Sequence, residues 1–164
     1  MQSEFAPRLC AVLLAVFLGF GGFGRAAHAE EPVLAVAGLA DGAELQLTLD
    51  DLREMGAIDL QTGTPWSEGV STFTGIPGRR FVEALQATGA EVAADAINNY
   101  HIAIPFDVFA SDTLLIAFAR DGQPMSVREK GPLWIIFPYD TDPIYHSDTY
   151  KAYSIWSLTR LEFR

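Results

Sequence analysis

Short apolar runs separated by polar turns organise this chain, and none of them sustains a helical period for long. Val33 to Gly38 is an apolar run, and Leu45, Leu47 and Leu49 alternate with polar residues in the period of two that suits a half-buried strand. Thr48 precedes Leu49 to Met55, and Asp51 follows it by three residues, a capping-box-like pair that predicts a short helix ended by Gly56. Ile58 to Thr62 predicts a strand and Gly63 to Gly69 a loop. Val70, Thr72 and Thr74 then predict a strand leading into a turn at Gly75-Ile76-Pro77-Gly78. From Arg79 onward Phe81, Val82, Leu85 and Ala87 follow helical spacing up to Gly89.

Further on, Ala96 to Asn98 and Tyr100 to Ile104 read as strands, followed by a helical turn led by Pro105 and reaching Phe109. Leu114 to Phe118 is an apolar strand, and Asp121-Gly122 is a hairpin-type turn. Leu133 to Phe137 reads as a buried strand, and Ser154 to Phe163 as a last one in which Ile155, Ser157, Thr159 and Leu161 alternate. Many short strands with two or three short helices between them define a single domain of the α+β class, mainly β, built on mixed sheets. Strand and helix do not alternate as a doubly wound fold requires, and no Gly-x-Gly-x-x-Gly phosphate loop is present.

The N-terminal segment changes the cellular picture. Arg8 precedes an apolar run from Leu9 to Phe23, and Ala27-His28-Ala29 places small residues where a signal peptidase inspects the chain. This predicts a signal peptide over residues 1–29, export to the periplasm, and a domain over residues 30–164. The run is shorter than the roughly 20 residues of a spanning helix, and its middle is rich in glycine. Cys10 and His28 fall in the removed part. The exported domain therefore has no thiol, retains only His101 and His146, and lacks the ligands of a Cys/His zinc site. Loss of Arg8, Arg25 and Glu4 takes the net charge from −10 to −11. Nucleic acid and anionic membrane are poor partners for such a surface.

Four segments in register resemble the molybdopterin-binding domain of the sulfite oxidase superfamily. They are Phe73-Thr-Gly-Ile-Pro-Gly-Arg-Arg-Phe-Val-Glu-Ala-Leu85, Ala96-Ile-Asn-Asn-Tyr-His-Ile-Ala-Ile-Pro105, Leu114 through Pro138, and Tyr153-Ser-Ile-Trp-Ser-Leu-Thr-Arg-Leu161. The resemblance implies the sulfite oxidase-like fold. The molybdenum enzymes of that superfamily place a metal-ligating cysteine in the loop before the Phe-Thr-Gly-Ile-Pro-like turn, where this chain has Trp66, Ser67 and Glu68. A serine or a carboxylate does not reproduce a soft molybdenum–thiolate bond. Those enzymes also hold the cofactor's phosphate with an arginine in Gly-x-Pro-Leu-Arg and a lysine in Ser-Val-Lys-Trp. Here Trp134 and Trp156 stand at those positions. Two indoles suit a ring system and not a phosphorylated tail.

The pattern is similar to small periplasmic pterin-binding proteins of the PruR type, which share the fold without molybdenum. That resemblance implies a non-catalytic protein that binds a monopterin, needs no metal, and relays its occupancy to the periplasmic domain of a membrane-bound GGDEF/EAL protein, a diguanylate cyclase/phosphodiesterase. Two other readings stay open: a molybdenum-cofactor oxidoreductase of sulfite oxidase type with atypical ligation, and an exported module that binds only protein.

A pterin is a flat bicycle with a donor- and acceptor-bearing edge, so its site needs aromatic faces and a carboxylate or amide. Trp66, Tyr100, Trp134, Tyr139 and Trp156 offer faces. Glu68 offers a carboxylate for the guanidine-like edge, with Asn98 or Asn99 as amide alternatives. Arg128 and Lys130, in a loop that matches a cofactor-contacting loop of the enzymes, are the residues for the pterin's O4 or a hydroxylated side chain; a salt bridge to Glu129 is the alternative use of their charge. His101 reads as a partly buried structural residue. Asp140, Asp142, His146 and Asp148 cluster in sequence, but their spacing fits no calcium loop and predicts a solvated or partner-facing loop.

Overall fold

The computed structural model describes residues 30–164, so the expected signal peptide lies outside the described residues. Two five-stranded sheets pack around one core. The first contains β1 (Leu34–Ala37), β2 (Leu45–Leu47), β5 (Glu91–Ala96), β6 (His101–Pro105) and β10 (Leu158–Phe163), in the order β2-β1-β10-β5-β6. Only the β1–β10 pair in it is parallel, which makes the sheet mixed. The second contains β3 (Ile58–Gly63), β4 (Val70–Pro77), β7 (Leu115–Arg120) and β8 (Gln123–Pro124) in chain order, with β9 (Trp134–Ile136) also pairing antiparallel to β7. Four short helices, α1 (Leu49–Glu54), α2 (Gly78–Leu85), α3 (Phe106–Phe109) and α4 (Asp148–Tyr153), fill the connections. Among the described residues no helix is long and apolar enough to cross a membrane.

Strands β7 and β9 are buried on both faces, which explains why their sequences read as continuous apolar runs and not as alternation. Ile116 and Ile135 face the main core with Val36, Ile76, Phe81, Val92 and Leu161. Their neighbours Leu115, Ala117, Trp134 and Ile136 turn to the other side and form a second cluster with Phe73 and Met125. Trp66 and Trp156, two residues of the site described below, pack against that second cluster.

Two glycines explain the Phe-Thr-Gly-Ile-Pro-Gly segment. Gly75 sits at a register shift between β4 and β7, where a Cβ would lie 2.3 Å from the Ile116 carbonyl oxygen. At Gly78 the Phe109 carbonyl oxygen fills the same space, so α2 docks directly on α3.

Several boundaries differ from the sequence reading. The expected turn at Gly75 to Gly78 is strand through Pro77, and α2 begins at Gly78. It ends at Gln86, which adopts a left-handed conformation at φ 51, before the expected stop at Gly89. The strand expected over Ala96 to Asn98 is instead the end of β5, which starts at Glu91, and Ile97 to Tyr100 form a tight turn with Asn99 at φ 62. Ser154 to Ser157 precede β10 as irregular backbone, with Ser157 at φ 51. Asp148, expected in a solvated or partner-facing loop, begins α4, a helix with no counterpart in the sequence reading: Ser147 caps it by accepting from the Tyr150 amide at 3.5 Å, and the Tyr150 ring packs edge-on against Phe137, 4.9 Å between centroids.

Candidate functional site

A cavity of about 280 Å³ opens where the two sheets meet. Trp66 comes to it from the β3–β4 loop, Ala96, Asn98 and Tyr100 from the β5–β6 turn, Lys151 and Ala152 from α4, and Ser154, Ile155 and Trp156 from the irregular segment before β10.

Local hydrogen bonds set each wall. The Trp66 amide donates to Thr64 Oγ1 at 3.2 Å, and Thr64 Oγ1 shares a 2.7 Å bond with Ser67 Oγ. The Gly63 amide donates to Asp140 Oδ2 at 2.6 Å, so the start of that loop is tied to the segment after β9. The Trp66 indole meets Trp156 at 5.6 Å, Trp134 at 6.0 Å and Tyr139 at 6.1 Å between ring centroids, all in tilted or edge arrangements. Trp134 is fully buried, and its Nε1 donates to the Ser154 carbonyl at 3.2 Å. Tyr139 is also buried, shares a 2.5 Å bond with Ser154 Oγ, and has its phenol pushed up to about 12 by burial. Trp156 pairs with Trp134 in an isolated antiparallel bridge, and the next amide, Ser157 N–H, donates to the Lys130 carbonyl at 2.9 Å.

Lys130 contacts both rings of this pair. Its Nζ lies 4.0 Å from the Trp156 ring centroid and 5.4 Å from that of Trp134. Burial pushes its amine below the ordinary value. Glu129 is not its counterion, because that carboxylate accepts from Ser126 Oγ at 2.7 Å and closes a capping box on the turn Val127–Glu129. The same hydrogen bonds from Ser126, side chain first and backbone second, hold the Glu129 carboxyl below its usual range.

Of the residues singled out from sequence, Trp66, Tyr100 and Trp156 line one cavity, with Lys130 on the Trp156 ring. Glu68, Asn99 and Arg128 are exposed and do not line the cavity; Asn98, the amide alternative, does. Trp134 and Tyr139 are buried against Trp66, do not line the cavity and offer no free face. His101, expected to be partly buried, is exposed at the start of β6. Asp142 caps a 3-10 turn by accepting from the Ile144 amide at 2.8 Å, and His146 packs on Tyr139 at 5.6 Å. Among the described residues no three His, Cys, Asp or Glu side chains converge as metal ligands. Lys151, Ala152, Ser154 and Ile155 were not anticipated, because their position depends on α4. The signal available for it was Ser147 followed by Asp148, a cap residue before an acidic first turn.

The chemistry of the walls separates two ligand classes. A molybdenum–dithiolene centre needs a soft protein donor, and the loop that would supply it offers Ser67, already bonded to Thr64, and the exposed Glu68. These residues do not fit that group. Flat aromatic rings with an amide and an ammonium beside them fit an uncharged or anionic heterocycle.

No family model and no curated protein matches the sequence. Among solved structures, the sulfane dehydrogenase SoxCD from Paracoccus pantotrophus superposes with a TM-score of 0.59 at 15% identity, over 79% of this chain and 37% of that one. The chain thus spans little more than a third of that protein, and the likeness is one of fold. The architecture is the sulfite oxidase-like α+β fold in a single domain, mostly strands in two sheets.

Proposed function

We propose that this chain is a non-catalytic pterin-binding protein of the periplasm, which reports the occupancy of its site to the periplasmic domain of a membrane-bound GGDEF/EAL signalling protein. The observation that carries the reading is the cavity of about 280 Å³ edged by Trp66, Tyr100 and Trp156. Ligand pockets run from roughly 300 Å³ upward, so this one sits at the size of a single small ring system without a long tail. Trp134 and Trp156, which replace the expected phosphate-binding cations, support a monopterin over a phosphorylated cofactor. The thiol-free loop around Trp66 supports binding over molybdenum chemistry.

An exposed apolar rim beside the cavity supports relay to a partner. Ile97 and Tyr100, on the turn that forms one wall, are 52% and 42% exposed, an apolar rim that a partner can cover together with the ligand. Signalling then works by population shift, in which the loaded form binds one state of the partner more tightly than the other. Calorimetric titration of protein purified from the periplasm with a reduced monopterin tests the ligand, and elemental analysis of the same sample tests the metal. Saturable binding at one site without molybdenum is expected. About one molybdenum per chain would turn the reading towards a sulfite oxidase-like oxidoreductase with atypical ligation.

A further inference from the structure

The polar groups that line the cavity are weighted towards donors and carry one positive charge, Lys130 touching Trp156 without being among the lining residues. Asn98 uses its Oδ1 to accept from the Tyr100 amide at 3.2 Å, which leaves its amide hydrogens. The Tyr100 hydroxyl donates to the Ala152 carbonyl at 3.3 Å. Ser154 Oγ is committed to the Tyr150 carbonyl at 2.9 Å and to Tyr139 at 2.5 Å. Lys151 is the charged residue among the described lining residues, and no Asp or Glu is among them. Its nearest carboxylate is that of Asp148, 3.7 Å away on a fully exposed side chain. Such a pair is screened by water and holds the ammonium weakly.

A ring bound in this cavity meets apolar and aromatic surface over most of its area, and a cation at Lys151. The chain around it carries a net charge of −10, so an anionic substituent finds few other favourable positions. A lone ammonium is a point charge that matches one carboxylate. A phosphate dianion is better held by several donors or an arginine fork.

We propose that the cavity selects a flat heterocycle bearing a short carboxylate substituent, and that Lys151 is the residue that reads the carboxylate. This rests on the ring-binding function argued above.

The test compares two probes with the same ring and substituents of similar size, 6-carboxypterin and 6-hydroxymethylpterin, by calorimetry at low and high salt. The wild-type protein is expected to favour 6-carboxypterin roughly fivefold to tenfold at low ionic strength, the size of a partly exposed charge-assisted contact. The ratio should shrink as salt rises. In Lys151→Met, with folding checked by circular dichroism, it should collapse towards one, and in Lys151→Arg it should persist. Equal wild-type affinities for the two probes, or an unchanged ratio in Lys151→Met, would overturn the carboxylate assignment and leave ring binding standing. Binding of neither probe would remove the ring-binding function and this inference together.

Discussion

The Lys130 ammonium lies 4.0 Å from the centroid of the Trp156 ring, and no carboxylate is within ion-pair range of it among the described residues. The indole takes the place of a counterion. Cation–π contacts of this kind contribute about 1 kcal/mol, more where water is excluded. Trp156 thus lines the cavity while one of its contacts is to Lys130, which does not line it.

Lys130 and Lys151 are the two lysines of the sequence, which makes the first prediction measurable. With both amines carrying 13C-methyl labels, Lys130 should titrate below the ordinary 10.5, because burial disfavours its charged form. Tryptophan emission should change over the same pH interval and lose that change in Lys130→Met. The sign for stability follows from linkage: below 10.5 the folded amine releases its proton before the unfolded one. This component therefore gains stability as pH rises towards 10.5. Emission that stays flat through the Lys130 titration would contradict the contact.

Trp156→Ala should weaken monopterin binding by roughly 1–3 kcal/mol, the range measured for aromatic stacking on nucleobases, while the fold persists. Trp66→Ala should act in the same direction, since its ring meets Trp156 at 5.6 Å. Calorimetry with a reduced monopterin reads both. Wild-type affinity in both variants would place the ring elsewhere.

Local patterns were the legible part of this sequence, and long-range placement was not. The Thr48–Asp51 capping box forms as its spacing requires, because both partners lie within one turn. The doubly buried β7 and β9 announce themselves as apolar runs. Strand β5 does not, since Ala93, Ala94 and Ala96 are weak strand formers and the ladders to β10 and β6 on either side hold it. Helix α4 hides for a related reason: its inward residues Tyr150 and Tyr153 have polar tips and sit among aspartates and prolines, so the apolar stripe is faint. In the site, Trp66 and Trp156 were legible from the loop and the register that carry them. Which way Glu68 and Arg128 turn depends on contacts the chain makes only when folded, and both turn to solvent.

Gly75→Ala should destabilise the domain by about 1–3 kcal/mol, the usual cost of overpacking, because the new methyl meets the Ile116 carbonyl oxygen at 2.3 Å and Ala117 Cα at 2.6 Å. Both obstacles are backbone, so a rotamer change gives no relief. Urea denaturation should show a lower midpoint at an unchanged slope. A midpoint equal to wild type would mean that β4 and β7 separate there at little cost.

Tyr139→Phe tests the buried packing against Trp66 by its pH dependence. The hydroxyl shares a 2.5 Å bond with Ser154 Oγ, which keeps its donation to the Tyr150 carbonyl when the phenol is gone. At neutral pH the variant should therefore lose only about 1 kcal/mol, the net worth of one hydrogen bond. Alkaline behaviour separates the two proteins further. Burial raises the folded phenol to about 12 from the ordinary 10, so the unfolded chain ionises first. The stability this group contributes is present in full below pH 10 and is lost as pH rises through 12. Unfolding free energies measured from pH 9 to 12 should fall more steeply for wild type than for Tyr139→Phe, so the gap between them closes as pH climbs. Parallel curves would mean that the Tyr139 phenol ionises as readily in the folded protein as in the unfolded chain, and that the packing around Tyr139 admits water.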